Sequence, residues 1–201
     1  MNSNDGSIFS MIRLGLILAV YAVASCTVLA LVNNITSPVI KQNQERKAQE
    51  GMKTVFPLAE SFVPADNFSE AKNAAIKIDG LFIAKSGSDV LGAIAQVTGP
   101  TYDQATILVG LDTKGIVTGL TFLKNTDSPG FGLKASDSSF KVKSGKTFYG
   151  QFAGLDSKEG FVSGKNFDAI SGATITSNGI AELVSAGVQV IQVYLKENHY
   201  E

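Results

Sequence analysis

The sequence predicts an α+β fold, an antiparallel sheet with flanking helices, preceded by one N-terminal transmembrane helix. Three patterns carry that expectation. Residues 14–32 contain no charged side chain, and as a helix they would extend about 28 Å, close to the hydrocarbon thickness of a bilayer. Residues 76–124 hold short runs of small and β-branched side chains divided by turn chemistry. Further on, Ile180, Leu183, Val184, Gly187, Val188, Ile191, Tyr194 and Leu195 recur at helical spacing. A chain of 201 residues then divides into a short tail (1–13), an anchor (14–32), a juxtamembrane helix or spacer (33–57) and one soluble domain (58–201).

Composition removes several function classes. A formal net charge of -1 argues against a nucleic-acid partner, which needs a basic face. One cysteine permits no internal disulfide and no Cys-rich metal or iron–sulfur centre. The single histidine, His199, lies near the C-terminus and reads as a solvated tail residue. A membrane-anchored hydrolase is disfavoured because Gly-x-Ser-x-Gly is absent.

The anchor invites two processing alternatives. Val23-Ala24-Ser25-Cys26 matches the small-residue pattern before a lipid-modified cysteine, and a cleaved signal peptide has a similar apolar segment. The apolar run continues past Cys26 through Val32, however, where a lipoprotein normally turns polar. A retained anchor is favoured, with lipidation of Cys26 as the alternative. Charge leaves the orientation contested. Arg13 stands on one side, and Lys41, Arg46 and Lys47 on the other, which taken alone places the C-terminal domain in the cytoplasm.

Ser37-Pro38 has the form of an N-cap followed by proline at the first helical position. The alternating charges after it, with Lys41 and Glu45 at i,i+4, suggest a solvated helix that continues or kinks from the anchor, with Gly51 and Pro57 marking its end. Residues 62–75 read as loop with one short helix. Strand patterns begin at 76–79 and continue over 81–85, 90–98, 105–112 and 116–124, with Ser86-Gly87-Ser88-Asp89 and Asp112-Thr113-Lys114-Gly115 as turns. Among the aromatics of 136–158, Phe140, Phe148, Tyr149 and Phe152 suit a core, while Lys134, Lys141, Lys143 and Lys146 suit solvent.

Two segments carry chemistry. Asn125-Thr126-Asp127-Ser128-Pro129-Gly130-Phe131-Gly132 follows the last strand, and Pro-Gly marks a turn. Asp168-Ala169-Ile170-Ser171-Gly172-Ala173-Thr174-Ile175-Thr176-Ser177 directly precedes the helical pattern. Its hydroxyls therefore sit at a helix N-terminus, where free N–H groups and the macrodipole suit a phosphate. The plainer reading is a helix cap, for which Ser and Thr are preferred residues.

The second segment resembles the flavinylation motif of the FMN-binding domain family: an acidic residue, two variable positions, Ser or Thr, Gly, Ala, then Thr or Ser. Every position is filled. The family includes the G subunit of the Rnf electron-transport complex and the C subunit of the sodium-pumping NADH:quinone oxidoreductase; the length of this chain is more similar to the Rnf G subunit. The resemblance implies FMN held covalently through its phosphate on Thr174, with Ser171, Gly172, Ala173, Thr176 and Ser177 around the phosphate. It also implies a separate flavin transferase that recognises Asp168, Gly172 and Ala173, because no His or Cys neighbour is present to activate Thr174.

The first segment resembles the family's Glu-Thr-Pro-Gly-Leu-Gly loop beside the isoalloxazine ring. Asp127, Ser128 and Phe131 replace Glu, Thr and Leu, while Pro129, Gly130 and Gly132 are kept. Tyr102, in a less glycine-rich approach than that of relatives, receives no role. The family resemblance as a whole implies a redox subunit without a complete active site of its own. It would work with the other membrane subunits of an Rnf-type ion-translocating ferredoxin:NAD oxidoreductase, its flavin domain outside the cell membrane. The quinone-reductase C subunit and a flavin-free extracytoplasmic lipoprotein or binding module remain the alternatives.

Overall fold

The computed structural model describes residues 3–200. Two compact units divide the chain, Met1–Arg46 and Lys47–Glu201. Helix α1 (Ser3–Val55) accounts for the described residues of the first and ends within the second. Its apolar part is long and apolar enough to cross a membrane, and none of it is buried against protein. The helix start expected at Ser37 does not occur, because α1 runs through Pro38. The hydroxyls here turn back into the helix. Thr27 and Thr36 donate to the carbonyls of Val23 and Val32, four residues earlier, and Ser37 donates to the Asn33 side-chain oxygen at 3.3 Å. Such back-bonding satisfies polar side chains where water is absent.

In the second unit, five strands lie in chain order with every neighbouring pair antiparallel: β1 (Ser61–Pro64), β2 (Lys77–Ser86), β3 (Asp89–Pro100), β4 (Gln104–Asp112) and β5 (Val117–Asn125). Short turns dictate the meander from β2 to β5, since a hairpin can only join antiparallel strands, while a longer loop, residues 65–76, brings β1 to the edge of β2. The β4–β5 turn is closed by Asp112, whose carboxylate accepts from the N–H groups of Lys114 and Ile116 at 2.9 and 2.8 Å. Residues 62–75 contain no helix; instead Ser61–Pro64 forms β1 along the edge of β2. That edge strand is short, ends in proline and is exposed at Ser61, Val63 and Pro64, so it shows little of the alternation that reveals interior strands.

The two faces of the sheet follow from strand alternation. Ala93, Ala95, Val97, Ile107, Val109 and Leu111 join Ile180, Leu183, Val184, Val188 and Ile191 of α2 (Thr174–Glu197) in the main core. Burying each larger side chain contributes about 1.5–3 kcal/mol relative to exposure. On the opposite face, Ala84, Ile94 and Leu108 pack with Met52, Val55 and Phe56. The end of α1 is therefore not the solvated spacer that its charges suggest, and the compact unit begins at Lys47 rather than at 58. Gly51 does not end the helix. It lies where a Cβ would come 2.9 Å from Leu108 Cδ1, so its bareness lets the helix approach the sheet.

Between β5 and α2 the chain forms three short 3₁₀ turns, Gly132–Ser136, Tyr149–Gln151 and Ser157–Glu159. Phe148 and Phe152 are fully buried and pack with Phe167, their ring centroids 5.1 to 6.1 Å apart. Phe167 directly precedes Asp168 in sequence, so the cluster anchors the start of the loop leading into α2.

Candidate functional site

The loop before α2 is shaped by its own residues. Ile170 is buried, Gly172 has φ +79°, and the Ala173 N–H donates to the Ile170 carbonyl at 2.9 Å. A left-handed turn at 172 is open to glycine at no steric cost. Ser177 Oγ accepts from the Ile170 N–H and donates to the Ala173 carbonyl, both at 2.9 Å. This hydroxyl, expected near a phosphate, is wholly buried and fastens the loop to the first turn of α2. Gln151, to which the sequence drew no attention, grips the start of the motif. Its side-chain oxygen accepts from the Asp168 N–H at 2.8 Å and its amide donates to the Asp168 carbonyl at 3.1 Å. The Asp168 carboxylate accepts from the Ser144 N–H at 3.1 Å and borders a separate cleft of 380 Å³ with Lys146 and Lys165.

No hydroxyl caps α2. The N-cap is Ala173, and no side chain hydrogen-bonds there. The first-turn N–H groups consequently have no intrahelical or side-chain acceptor, the condition that favours an anion. Thr174 and Ile175 are exposed beside them. The lone histidine is no neighbour of Thr174: His199 follows the other end of α2, about 35 Å away along the helix axis.

The second segment is organised by Asp127, which is only 3% exposed. One carboxylate oxygen accepts from Thr101 Oγ1 at 2.6 Å and the Asp103 N–H at 2.8 Å; the other accepts from Thr176 Oγ1 at 2.6 Å. Burial pushes the carboxyl pKa up, but the hydrogen bonds from Thr101, Thr176 and the backbone outweigh it and hold the group below its ordinary value. Asp127 thus joins the β3–β4 turn, the loop after β5 and the start of α2. Asn125 closes the loop, accepting from the Asp127 N–H at 3.0 Å and donating to the Gly132 carbonyl at 3.3 Å.

Gly132 reaches into this knot. A Cβ there would lie 2.5 Å from an Asp127 oxygen and closer still to Thr176 Oγ1. Its bareness makes room for the buried hydrogen bond between Asp127 and Thr176. Gly130, at φ +79° with open space around it, serves the turn.

The two segments meet in one cleft of 590 Å³. Ser128, Pro129, Phe131 and Gly132 contribute from one side, and Gly172, Ala173, Thr174, Ile175 and Thr176 from the other. Tyr102 completes the lining. Asp127, Gly130, Ser171 and Ser177 do not line it; Asp127 and Ser177 are buried behind its walls. Phe131 is 58% exposed rather than packed in the core, and Tyr102 is 66% exposed. The volume lies within the 300–1,000 Å³ range of small-molecule sites. Exposed rings beside an uncapped helix start suit a planar ring bearing a phosphate, so the residues present fit FMN.

The fold and the cleft define an FMN-binding domain that follows a membrane-capable helix. Residues 101–189 match the FMN-binding domain family, and residues 1–55 match the RnfG N-terminal region. The chain is 31% identical to the G subunit of the Na(+)-translocating ferredoxin:NAD(+) oxidoreductase complex of Acetobacterium woodii, covering 90% of this chain and 91% of that one. Identity is 26% to the G subunit of the ion-translocating oxidoreductase complex of Vibrio cholerae, covering 92% of each chain. It is 29% to the protein of the same name from Shewanella baltica, covering 89% of this chain and 88% of that one. The chain belongs to the family of G subunits of Rnf-type ion-translocating oxidoreductase complexes.

Proposed function

We propose that this protein carries FMN covalently on Thr174 and relays electrons within an Rnf-type ion-translocating ferredoxin:NAD oxidoreductase. The observation that carries the reading is the placement of Thr174: an exposed hydroxyl at the first residue of an uncapped helix, on the wall of a ligand-sized cleft. FMN, when bound, supplies the capacity to accept and donate electrons. This chain's own residues bind, orient and shield it. The uncapped N–H groups of the first turn of α2 would hold a phosphate carried by Thr174, and the exposed hydroxyl of Ser171, in the loop before the helix and outside the cleft lining, would add a donor only from its rim. Phe131 and Pro129 offer apolar surface to the ring.

Attachment requires a separate flavin transferase, because Thr174 has no base beside it. In the proposed step the Thr174 oxygen bonds to the FMN phosphorus of FAD, the bond to AMP breaks, and the hydroxyl proton leaves with the AMP product. Asp168, Gly172 and Ala173 present the hydroxyl to that enzyme. Gly172 and Ala173 stand exposed to the cleft or at its wall, whereas Asp168 faces the Ser144 side of the loop. The ester keeps the cofactor at high effective concentration without tight binding, an advantage for a flavin domain outside the membrane, where we place it. The other membrane subunits of the complex are its electron partners.

Intact mass of the full chain, co-expressed with a flavin transferase, tests the reading. The wild type and Thr174→Ser gain one FMN less water and give a fluorescent band on a denaturing gel, while Thr174→Ala gives neither and remains folded. An unmodified wild-type chain would sink it.

A further inference from the structure

Tyr102 is a large side chain left two-thirds exposed in the turn between β3 and β4. Both residues flanking it are fixed. Thr101 Oγ1 and the Asp103 N–H donate to the same oxygen of buried Asp127. The other oxygen of that carboxylate holds Thr176, two residues beyond Thr174. One carboxylate therefore fixes the turn carrying Tyr102 relative to the helix start carrying Thr174. Phe131 projects into the same cleft from the loop that Asp127 begins. Two exposed aromatic rings and an exposed isoleucine around one concavity form apolar surface of the kind that a ligand covers.

We infer that Tyr102 is a flavin-contacting wall of the cleft, placed by the Asp127 knot, with its phenol ring against the isoalloxazine. This rests on the reading of Thr174 as the FMN attachment point. Tyrosine suits the task because it offers a flat apolar face and a polar tip that remains in water. A phenol in contact with a flavin also quenches its fluorescence, by giving an electron to the excited ring and recovering it as the ring relaxes. Phenylalanine keeps the shape but lacks that donor.

The test uses the full chain co-expressed with a flavin transferase and purified in detergent, as wild type, Tyr102→Ala, Tyr102→Phe and Tyr102→Trp. Intact mass reports loading, and fluorescence is expressed per bound flavin. Because Tyr102 is exposed, all four fold, and fluorescence per bound flavin is compared whatever the loading that intact mass reports for each. The expected result is several-fold brighter flavin in Tyr102→Ala and Tyr102→Phe, with quenching retained in Tyr102→Trp. Equal brightness per bound flavin in wild type and both non-quenching variants overturns the role of Tyr102 and leaves the attachment reading intact. A wild-type chain that gains no FMN mass overturns both.

Discussion

A buried carboxylate with three short hydrogen bonds is a place where a single atom change is felt. Asp127→Ala removes the acceptor for Thr101, Asp103 and Thr176 together, and donors left unsatisfied in a buried position cost about 1–3 kcal/mol each if water cannot reach them. Denaturant unfolding of the detergent-solubilised chain is expected to show a loss of about 3 kcal/mol. Asp127→Asn keeps the shape but loses the charge, so its loss is smaller. Because the folded pKa lies below the ordinary value of 3.8, the stabilisation by Asp127 is complete above about pH 4 and is lost as the pH falls through the folded value. Stability measured from pH 6 to pH 2 should therefore fall more steeply for the wild type than for Asp127→Asn; parallel profiles would refute the assignment. The sequence shows Asp127 as a candidate through its loop, but not its task. Its partners Thr101, Asp103 and Thr176 are remote along the chain, and only the fold makes them neighbours. Gln151 escaped notice for the same reason, since an amide that braces Asp168 carries no local pattern.

Among the elements, α2 is the one on which the cleft depends, and two glycines set how closely it lies on the sheet. A Cβ on Gly179 would come 2.9 Å from the Pro100 carbonyl oxygen and 2.9 Å from Thr101 Cα, whereas one on Gly187 would meet the side chains of Val109 and Val97 at 2.6 and 2.8 Å. Alanine in a helix gains about 1 kcal/mol over glycine, while overpacking costs about 1–3 kcal/mol. Against backbone the clash wins, so Gly179→Ala is expected to lower Tm by about 2–4 °C, as read by thermal unfolding. Gly187→Ala should lower it less, because valine side chains can shift. An unchanged Tm for Gly179→Ala would show that the β3–β4 turn yields freely.

Helix α2 and strands β2 to β5 were legible in sequence because each buries a repeating face: Leu183, Val184 and Val188 at helical spacing, and Ile107, Val109 and Leu111 at every second residue. Strand β1 was not, because its burial is slight. The stretch from 133 to 167 was not legible either. Its path is set by side-chain-to-backbone bonds such as Asn166 to the Gly160 carbonyl, not by periodic burial.

At the scale of the whole chain, charge and the extent of the folded unit bear on which side of the membrane holds the FMN-binding domain. A count of basic residues sets Arg13 against Lys41, Arg46 and Lys47 and favours a cytoplasmic domain. The fold weakens that count, because Lys47 onward belongs to the compact unit rather than to a free flank. That leaves Lys41 and Arg46 against Arg13 and the amino terminus, which is no clear bias, and long domains cross largely regardless of charge. The proposed covalent attachment supplies the other argument: a tethered cofactor is most useful where a dissociated one would be lost to dilution, and on that proposal the domain is expected outside. The check exploits the single cysteine. In a Cys26→Ser background, a cysteine introduced at the exposed Lys143 should react with a membrane-impermeant maleimide in intact cells lacking an outer membrane. One introduced at Ser10, before the apolar run, should react only after lysis. Labelling at 10 but not at 143 before lysis would place the domain inside, and the dilution argument for the ester would fall with it.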